Sequence, residues 1–587
     1  MKNSFPCLLI LLISFLLSCS ENTEKAIING VITNATDSLI KIGTQTIPIS
    51  KDGKFTFTEL IERPVFLDAL YDTLQWTIFL KPESKINIAI RGKSLENIEY
   101  TGELASSNVY LLEPNLLSNE INSFFNKNWV KLHVQNQVDY IATIDSLKGL
   151  YLKHLSANSK RFETMPKDFI QAWKAEIDFA YNVLILRYPE RHFQFTGNKI
   201  ELSQNTIDYL KSTEVDNLEY FDISGYKGYA KTWIDNQVDI LIAKDSSRKH
   251  YSFKKMETLL QIIPKMFKTP YLRDFWLANY LKDHIENNGI ENSKQYTNRF
   301  NAICKTECFK KELEQYIKSV LDARKDHEVM IYKTENNFVL ELHVFIPEGL
   351  IATEKRPAIV IFHGGGWSIG NASWAFETAK RYSNQGLIGI AAQYRLSNFK
   401  DITPIEAMKD VKDVFIWLRA HADSLGIIPN KIAGEGWSAG GHLVVSAAIF
   451  ADTLSDQKTN SAPNALILTS PALKNDSWFT RLLGTRNIDP KSLSPLENVI
   501  EGLPIPPTLI LQGRTDRVAL TEFAQLFHDK MIASKYYCEL VIYENCGHMF
   551  TPSNLDDTGM PQGDKEISRK ANEKAYEFLK ELRYIKK

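Results

Sequence analysis

The sequence holds six cysteines in 587 residues and no C-x-x-C pair. That absence excludes a dithiol redox motif, and the scatter of Cys304, Cys308, Cys538 and Cys546 makes no zinc site. Net charge is also lacking: 69 Lys and Arg against 70 Asp and Glu leave a formal charge of −1 at pH 7. There is no long basic run, so a nucleic-acid partner has no support. No apolar run reaches the roughly 20 residues that a membrane-spanning helix needs. No cluster of carboxylates and histidines argues for a metal, and nothing calls for a cofactor. What is present is ordinary for a globular protein: 44% apolar and 24% charged residues, in a chain long enough for three or four domains.

The start of the chain is a targeting segment. Residues 7–17 are almost wholly apolar, behind the single basic residue of Met1-Lys2-Asn3. The run ends in Leu16-Leu17-Ser18-Cys19, which resembles the bacterial lipoprotein signal. The resemblance implies removal of residues 1–18, lipidation of Cys19, and anchoring to the outer membrane on its periplasmic or its surface face. Membrane contact would then be through the lipid anchor only. The alternative is an ordinary secretory peptide cut nearby. Export permits disulfides. Cys304 and Cys308, four residues apart at a helix start, are close enough for a local bridge; two thiols on one helix face is the other reading.

Residues 19–103 read as a small β-sandwich of seven or so short strands. Asp52-Gly53 between Ile47-Pro48-Ile49 and Phe55-Thr56-Phe57 is a hairpin signal. The stretch resembles N-terminal domains of outer-membrane-anchored thiol-disulfide oxidoreductases, without the thioredoxin module. It carries no catalytic constellation, which leaves a spacer role, the favoured reading, or a carbohydrate-contacting one. Residues 104–325 read as a helical domain. Val138, Ile141, Ile144, Leu147 and Tyr151 recur at helix spacing, as do Phe169, Trp173, Ile177, Ala180 and Leu184. Pro189, Pro264 and Pro270 punctuate it, and no repeat of fixed length appears. Trp129, Trp173, Trp233 and Trp276 read as helix–helix core rather than a sugar-stacking platform.

Residues 326–587 alternate strand and helix signals, which predicts a mainly parallel sheet with helices on both faces. Strands are expected over 329–333, 339–345, 356–362, 387–392, 431–434, 464–469, 507–513 and 539–543. The connection 474–503 is long enough to shape a pocket. Within this region Gly436-Trp437-Ser438-Ala439-Gly440-Gly441-His442 joins a strand to a helix. Such a Gly-bounded corner holds a serine in a strained turn with its hydroxyl exposed. A chain of this length meets G-x-S-x-G by chance roughly one time in ten, so the weight rests on the accompanying parts. Upstream, a strand ends in His363-Gly364-Gly365-Gly366-Trp367; downstream come Gln512-Gly513-Arg514-Thr515-Asp516 and Gly547-His548-Met549. The order Ser, Asp, His, each just past the carboxyl end of a strand, is that of α/β-hydrolases.

Together with Tyr394-Arg395-Leu396, these motifs resemble α/β-hydrolase carboxylesterases with an H-G-G-G-W loop, of the acetyl-xylan and feruloyl esterase-like kind. The likeness covers the last 260 or so residues. It implies a serine hydrolase acting on a small-molecule or oligosaccharide ester, with Ser438 as nucleophile, His548 as base and Asp516 as its orienter. The N–H groups of Gly364, Gly365 and Ala439 would form the oxyanion hole, and Trp367, Trp437 and Tyr394 the pocket wall. Gln512 stands where the family often has histidine, and Met549 where it often has glycine. His442 reads as a packing residue, His363 as structural, and Glu544 as a poorer orienter than Asp516. Two other readings stand beside the esterase. G-W-S-x-G-G also occurs in prolyl-oligopeptidase-type serine peptidases, and a surface glycan-binding protein could carry an inactive hydrolase domain.

Overall fold

The computed structural model describes residues 25–585 apart from 162–164, 248, 352, 399–400, 452–460, 485 and 487. The expected targeting segment, residues 1–18, and Cys19 lie outside the described residues. The chain divides into two compact units: residues up to 245 with 258–277 and 303–310, and residues 246–257 with 278–302 and 311 onwards.

In the first unit, eight strands pair as two four-stranded sheets. They are β1 (Lys25–Ile32), β2 (Leu39–Ile42), β3 (Gln45–Pro48), β4 (Lys54–Leu60), β5 (Val65–Tyr71), β6 (Leu74–Leu80), β7 (Lys85–Ile90) and β8 (Ile98–Gly102). The sheet orders are β4-β1-β7-β8 and β3-β2-β5-β6. Strands such as β1 and β4 alternate buried and exposed residues, as a sheet with one covered face requires. Long helices follow, among them Gln137–Arg161 and Lys167–Thr196.

The expected boundary at 103/104 does not separate compact units. Phe66 and Phe79 of the strands share one aromatic core with Tyr110, Phe169 and Trp173 of the helices. Phe79 and Phe169 stand 5.0 Å apart, and Phe66 and Trp173 5.3 Å. Asn108, in the helix Ala105–Leu112, accepts from the Phe79 N–H at 2.7 Å and donates to its carbonyl at 3.1 Å, extending the β6 edge. Pro189 lies inside its helix instead of ending it, as does Pro264 in Tyr251–Met266. Asp274, fully buried, accepts from the N–H groups of Lys305 and Thr306 and from the Thr306 hydroxyl at 2.7–2.8 Å, pinning the segment that holds Cys304. Cys304 is a free, buried thiol, so the local bridge to Cys308 does not form; burial pushes that thiol up to about 11.

The second unit is built on one eight-stranded sheet. Its strands are β9 (Glu328–Glu335), β10 (Phe338–Phe345), β11 (Arg356–Phe362), β12 (Ile388–Ala392), β13 (Ile427–Trp437), β14 (Ala465–Thr469), β15 (Thr508–Gly513) and β16 (Cys538–Tyr543). The order is β16-β15-β14-β13-β11-β12-β10-β9. From β11 to β16 neighbours run parallel; β10 is antiparallel to both β9 and β12. β12 and β15 are buried along their whole length, as strands covered on both faces must be. This is the α/β-hydrolase fold with a leading antiparallel pair.

Helical segments before residue 326 belong to this unit, so the expected boundary at 325/326 also moves. Asn292 accepts from the Val339 N–H and donates to the Val339 carbonyl, both at 2.9 Å. His250 stacks on Phe338 at 4.2 Å, and Gln393 donates to the Asn288 carbonyl at 3.0 Å. The change from helical to strand periodicity near residue 326 marks a change of element, not of core.

Candidate active site

Ser438 sits between β13 and the helix Ala439–Ile449 with φ 53° and ψ −120°. A side chain other than glycine is strained there, and the corner is held by its surroundings. A Cβ on Gly436 would lie 2.4 Å from the Gly440 carbonyl oxygen, and one on Gly440 would lie 2.1 Å from that of Phe362. Both glycines are therefore demanded by backbone-to-backbone approach. The Ser438 N–H donates to Thr469 on β14 at 3.1 Å, and its carbonyl accepts from Ala472 at 3.1 Å.

β15 and β16 deliver the other two predicted groups. His548 Nε2 lies 3.2 Å from Ser438 Oγ, and His548 Nδ1 lies 3.0 and 3.2 Å from the Asp516 oxygens. Both side chains are almost fully buried. Asp516 further accepts from the N–H groups of Val518 and Ala519 at 2.9 and 2.7 Å, and from Gln512 Nε2 at 3.1 Å. An acceptor so saturated is an ionised carboxylate; it takes Nδ1–H from the imidazole and leaves Nε2 to accept from serine. Gln512, one departure from the family pattern, thus orients the acid and also donates to the Ala519 carbonyl at 2.8 Å. Met549, the other, has φ 51° and ψ 35°, the left-handed region that suits glycine. Glu544 is exposed and paired with Arg514 at 2.9 Å, away from His548.

The loop after β11 closes against the serine. A Cβ on Gly364 would lie 3.1 Å from Ser438 Cβ, and Gly365 has φ 101°. Among the described residues, the N–H groups of Gly364, Gly365 and Ala439 have no protein acceptor. The Tyr394 hydroxyl donates to the carbonyls of His363 and Gly364 at 2.8 and 3.2 Å, and its ring stacks on His363 at 4.4 Å. Only 2% exposed, Tyr394 is a support under the loop rather than the expected pocket wall. Arg395 fixes that support, bonding Asp410 through Nε and a terminal nitrogen at 2.8 Å each. Trp367 is likewise buried, edge-on to His442 and Phe479 at 5.2 and 5.1 Å. Trp437 alone of the three is part-exposed, beside Gly364.

His363 and His442 are pushed down to about 4 by burial, opposed by hydrogen bonds to the Gly364 and Leu493 carbonyls, so both are neutral near pH 7. The long connection carries a short helix, Ser477–Leu482, whose Trp478 donates from Nε1 to the Gly366 carbonyl at 2.9 Å. Sequence reasoning passed over Trp478, and over Asp557, which meets the His548 N–H at 2.9 Å. Neither carries a local signal; only the fold brings them to these loops. Elsewhere in this unit a cavity of about 200 Å³ lies between Glu286, Tyr316, Arg324, Glu341 and Asn371. It does not include Ser438, Asp516 or His548.

Residues 342–466 match the family described as BD-FAE. Esterase LipC of Mycobacterium tuberculosis is 26% identical over 203 residues, which is 31% of this chain and 49% of that protein. The acetylxylan esterase of Xylanibacter ruminicola is 28% identical over 218 residues, 35% of this chain and 42% of that protein. The solved structure of a thermophilic esterase from Thermogutta terrifontis is 30% identical, covering 45% of this chain and 97% of that one at a TM-score of 0.40. The chain spans between 5% and 49% of the length of the first curated relatives it matches. The second unit is thus an α/β hydrolase whose sequence is similar to carboxylic ester hydrolases.

Proposed function

We propose that the protein is a serine carboxylesterase working through an acyl-enzyme. The observation that carries this reading is the unbroken hydrogen-bonded line from Ser438 through His548 to Asp516. Ser438 Oγ attacks the ester carbonyl while its proton passes to His548 Nε2. Asp516 stabilises the imidazolium that forms. The carbonyl oxygen becomes an anion held by two or more N–H groups of Gly364, Gly365 and Ala439; one such donor is worth about 3 kcal/mol. His548 returns the proton to the leaving alcohol as the C–O bond breaks. Water then attacks the serine ester by the same steps in reverse. A free serine hydroxyl is a weak nucleophile at neutral pH, which is why the base must touch it.

The ester is that of a carbohydrate, acetyl or feruloyl, carried by a protein anchored through Cys19 to the outer membrane. The similarity to an acetylxylan esterase and the lipoprotein-like start of the chain support this finer reading. The test is a panel of p-nitrophenyl acetate, acetylated xylo-oligosaccharides, methyl ferulate and an aminoacyl-proline p-nitroanilide. Turnover of the esters, with acetylated or feruloylated sugar favoured by kcat/KM, is expected. Faster cleavage of the anilide would contradict it and make the protein a peptidase.

A further inference from the structure

The His548 turn is tight. The Phe550 N–H donates to Gly547 and the Thr551 N–H to His548, both at 3.0 Å, and Met549 and Phe550 both take positive φ, 51° and 63°. Such a turn holds bulky residues in a strained backbone and stays in place only if its surroundings over-determine it. One restraint is the Met549 N–H bond to Ser470 Oγ at 3.1 Å; the other, on His548 itself, is the buried carboxylate of Asp557, 2% exposed. Its Oδ2 accepts from the backbone N–H of His548 at 2.9 Å and from that of Arg517 at 3.1 Å, and its Oδ1 accepts from Arg517 Nε at 2.6 Å. Arg517 directly follows Asp516. It also donates to the Leu555 carbonyl at 3.0 Å, closing the loop that bears Asp557. Gly547 leaves the space: a Cβ there would lie 2.2 Å from Asp557 Oδ2.

We propose that Asp557 is a positioning residue for the proton-transfer pair, one carboxylate that locks the loop carrying His548 to the loop carrying Asp516. The inference rests on the esterase reading and adds a fourth side chain to it. Burial alone would push the Asp557 carboxyl up. The N–H groups of His548 and Arg517 and the Arg517 guanidinium hold it below the usual carboxylate range, so it is anionic wherever His548 acts as a base. Without it, the His548 N–H loses its acceptor, and the two loops keep the Thr515 N–H bond to the Cys546 carbonyl at 3.0 Å and the Thr515–Ser553 hydroxyl pair at 2.7 Å, neither of which touches the His548 backbone. The Ser438–His548–Asp516 line is then no longer set to a few tenths of an ångström.

The experiment compares the full chain with Asp557→Asn and Asp557→Ala on p-nitrophenyl acetate, each normalised to folded protein by circular dichroism and Tm. Asparagine keeps an acceptor for the His548 N–H but drops the ion pair; alanine drops both. A misplacement of this kind is expected to lower kcat about 50-fold in Asp557→Ala and about fivefold in Asp557→Asn, with KM within about twofold. The acidic limb of kcat/KM against pH should move to lower pH, because a less well-placed Asp516 stabilises the imidazolium less. Folded variants with a wild-type kcat and pH profile, whatever their Tm, would overturn the inference alone. A wild-type chain inert towards esters would overturn the esterase reading and this inference with it. If Asp557→Ala does not fold, Asp557→Asn, which preserves the side chain's shape, decides between the same outcomes.

Discussion

Ser438→Ala is expected to lower kcat for p-nitrophenyl acetate by about 10⁵-fold, leaving Tm within about 2 °C of wild type. The size follows from chemistry. Alanine leaves no oxygen at the point that His548 Nε2 faces at 3.2 Å, so neither the attack nor the acyl-enzyme is available. Water in the same cleft, still facing the N–H groups of Gly364, Gly365 and Ala439, accounts for what remains. Stability is spared because both residues meet the same φ of 53°, and the Ser438 backbone bonds to Thr469 and Ala472 do not involve the side chain. Steady-state rates beside a thermal melt test both halves. A kcat reduced less than tenfold would move the nucleophile elsewhere.

Asp516→Asn is expected to lower kcat by about 10⁴-fold, and here the fold also responds. Oδ1 already takes two N–H groups, so the new amide nitrogen must face Gln512 Nε2 and His548 Nδ1. Two donors then confront each other at 3.1 Å, costing about 1–3 kcal/mol of stability. The imidazole is driven to the tautomer with Nε2–H, which cannot accept the serine proton. Neither His363 nor His442 should add an acidic limb to wild-type kcat/KM, because both are neutral down to about pH 4. Denaturant midpoints and steady-state rates measure the two effects separately.

Much of the catalytic unit was legible in the sequence. Strands β11, β12, β14 and β15 are mainly apolar runs because both faces are covered, and each strand from β11 to β16 fell within a few residues of its expected place. The serine corner and the glycine loop were legible for a stricter reason: the backbone passes too close to itself at Gly436 and Gly440 for a side chain, and Gly364 lies against the Trp437 and Ser438 side chains. Domain boundaries were not legible. Helical spacing says that a residue lies on an apolar face but not which core that face enters, so Asn292 and His250 were counted with the wrong unit. Tyr394 illustrates a second limit. Its motif was visible, but a tyrosine beneath a loop and one lining a pocket look alike until its hydroxyl is found on the carbonyls of His363 and Gly364. Asp557 had no signal because its partners are 9 and 40 residues away and the contact is to backbone N–H groups.

The central claim is that turnover passes through a covalent ester on Ser438. The most direct measurement is a stopped-flow burst of p-nitrophenol from p-nitrophenyl acetate, quenched in acid and followed by peptide mass analysis. A burst approaching one equivalent per chain, with the acetyl group on the peptide at Ser438, is expected. Acetyl found on another residue, or steady turnover with no acetylated peptide at any time, would contradict it.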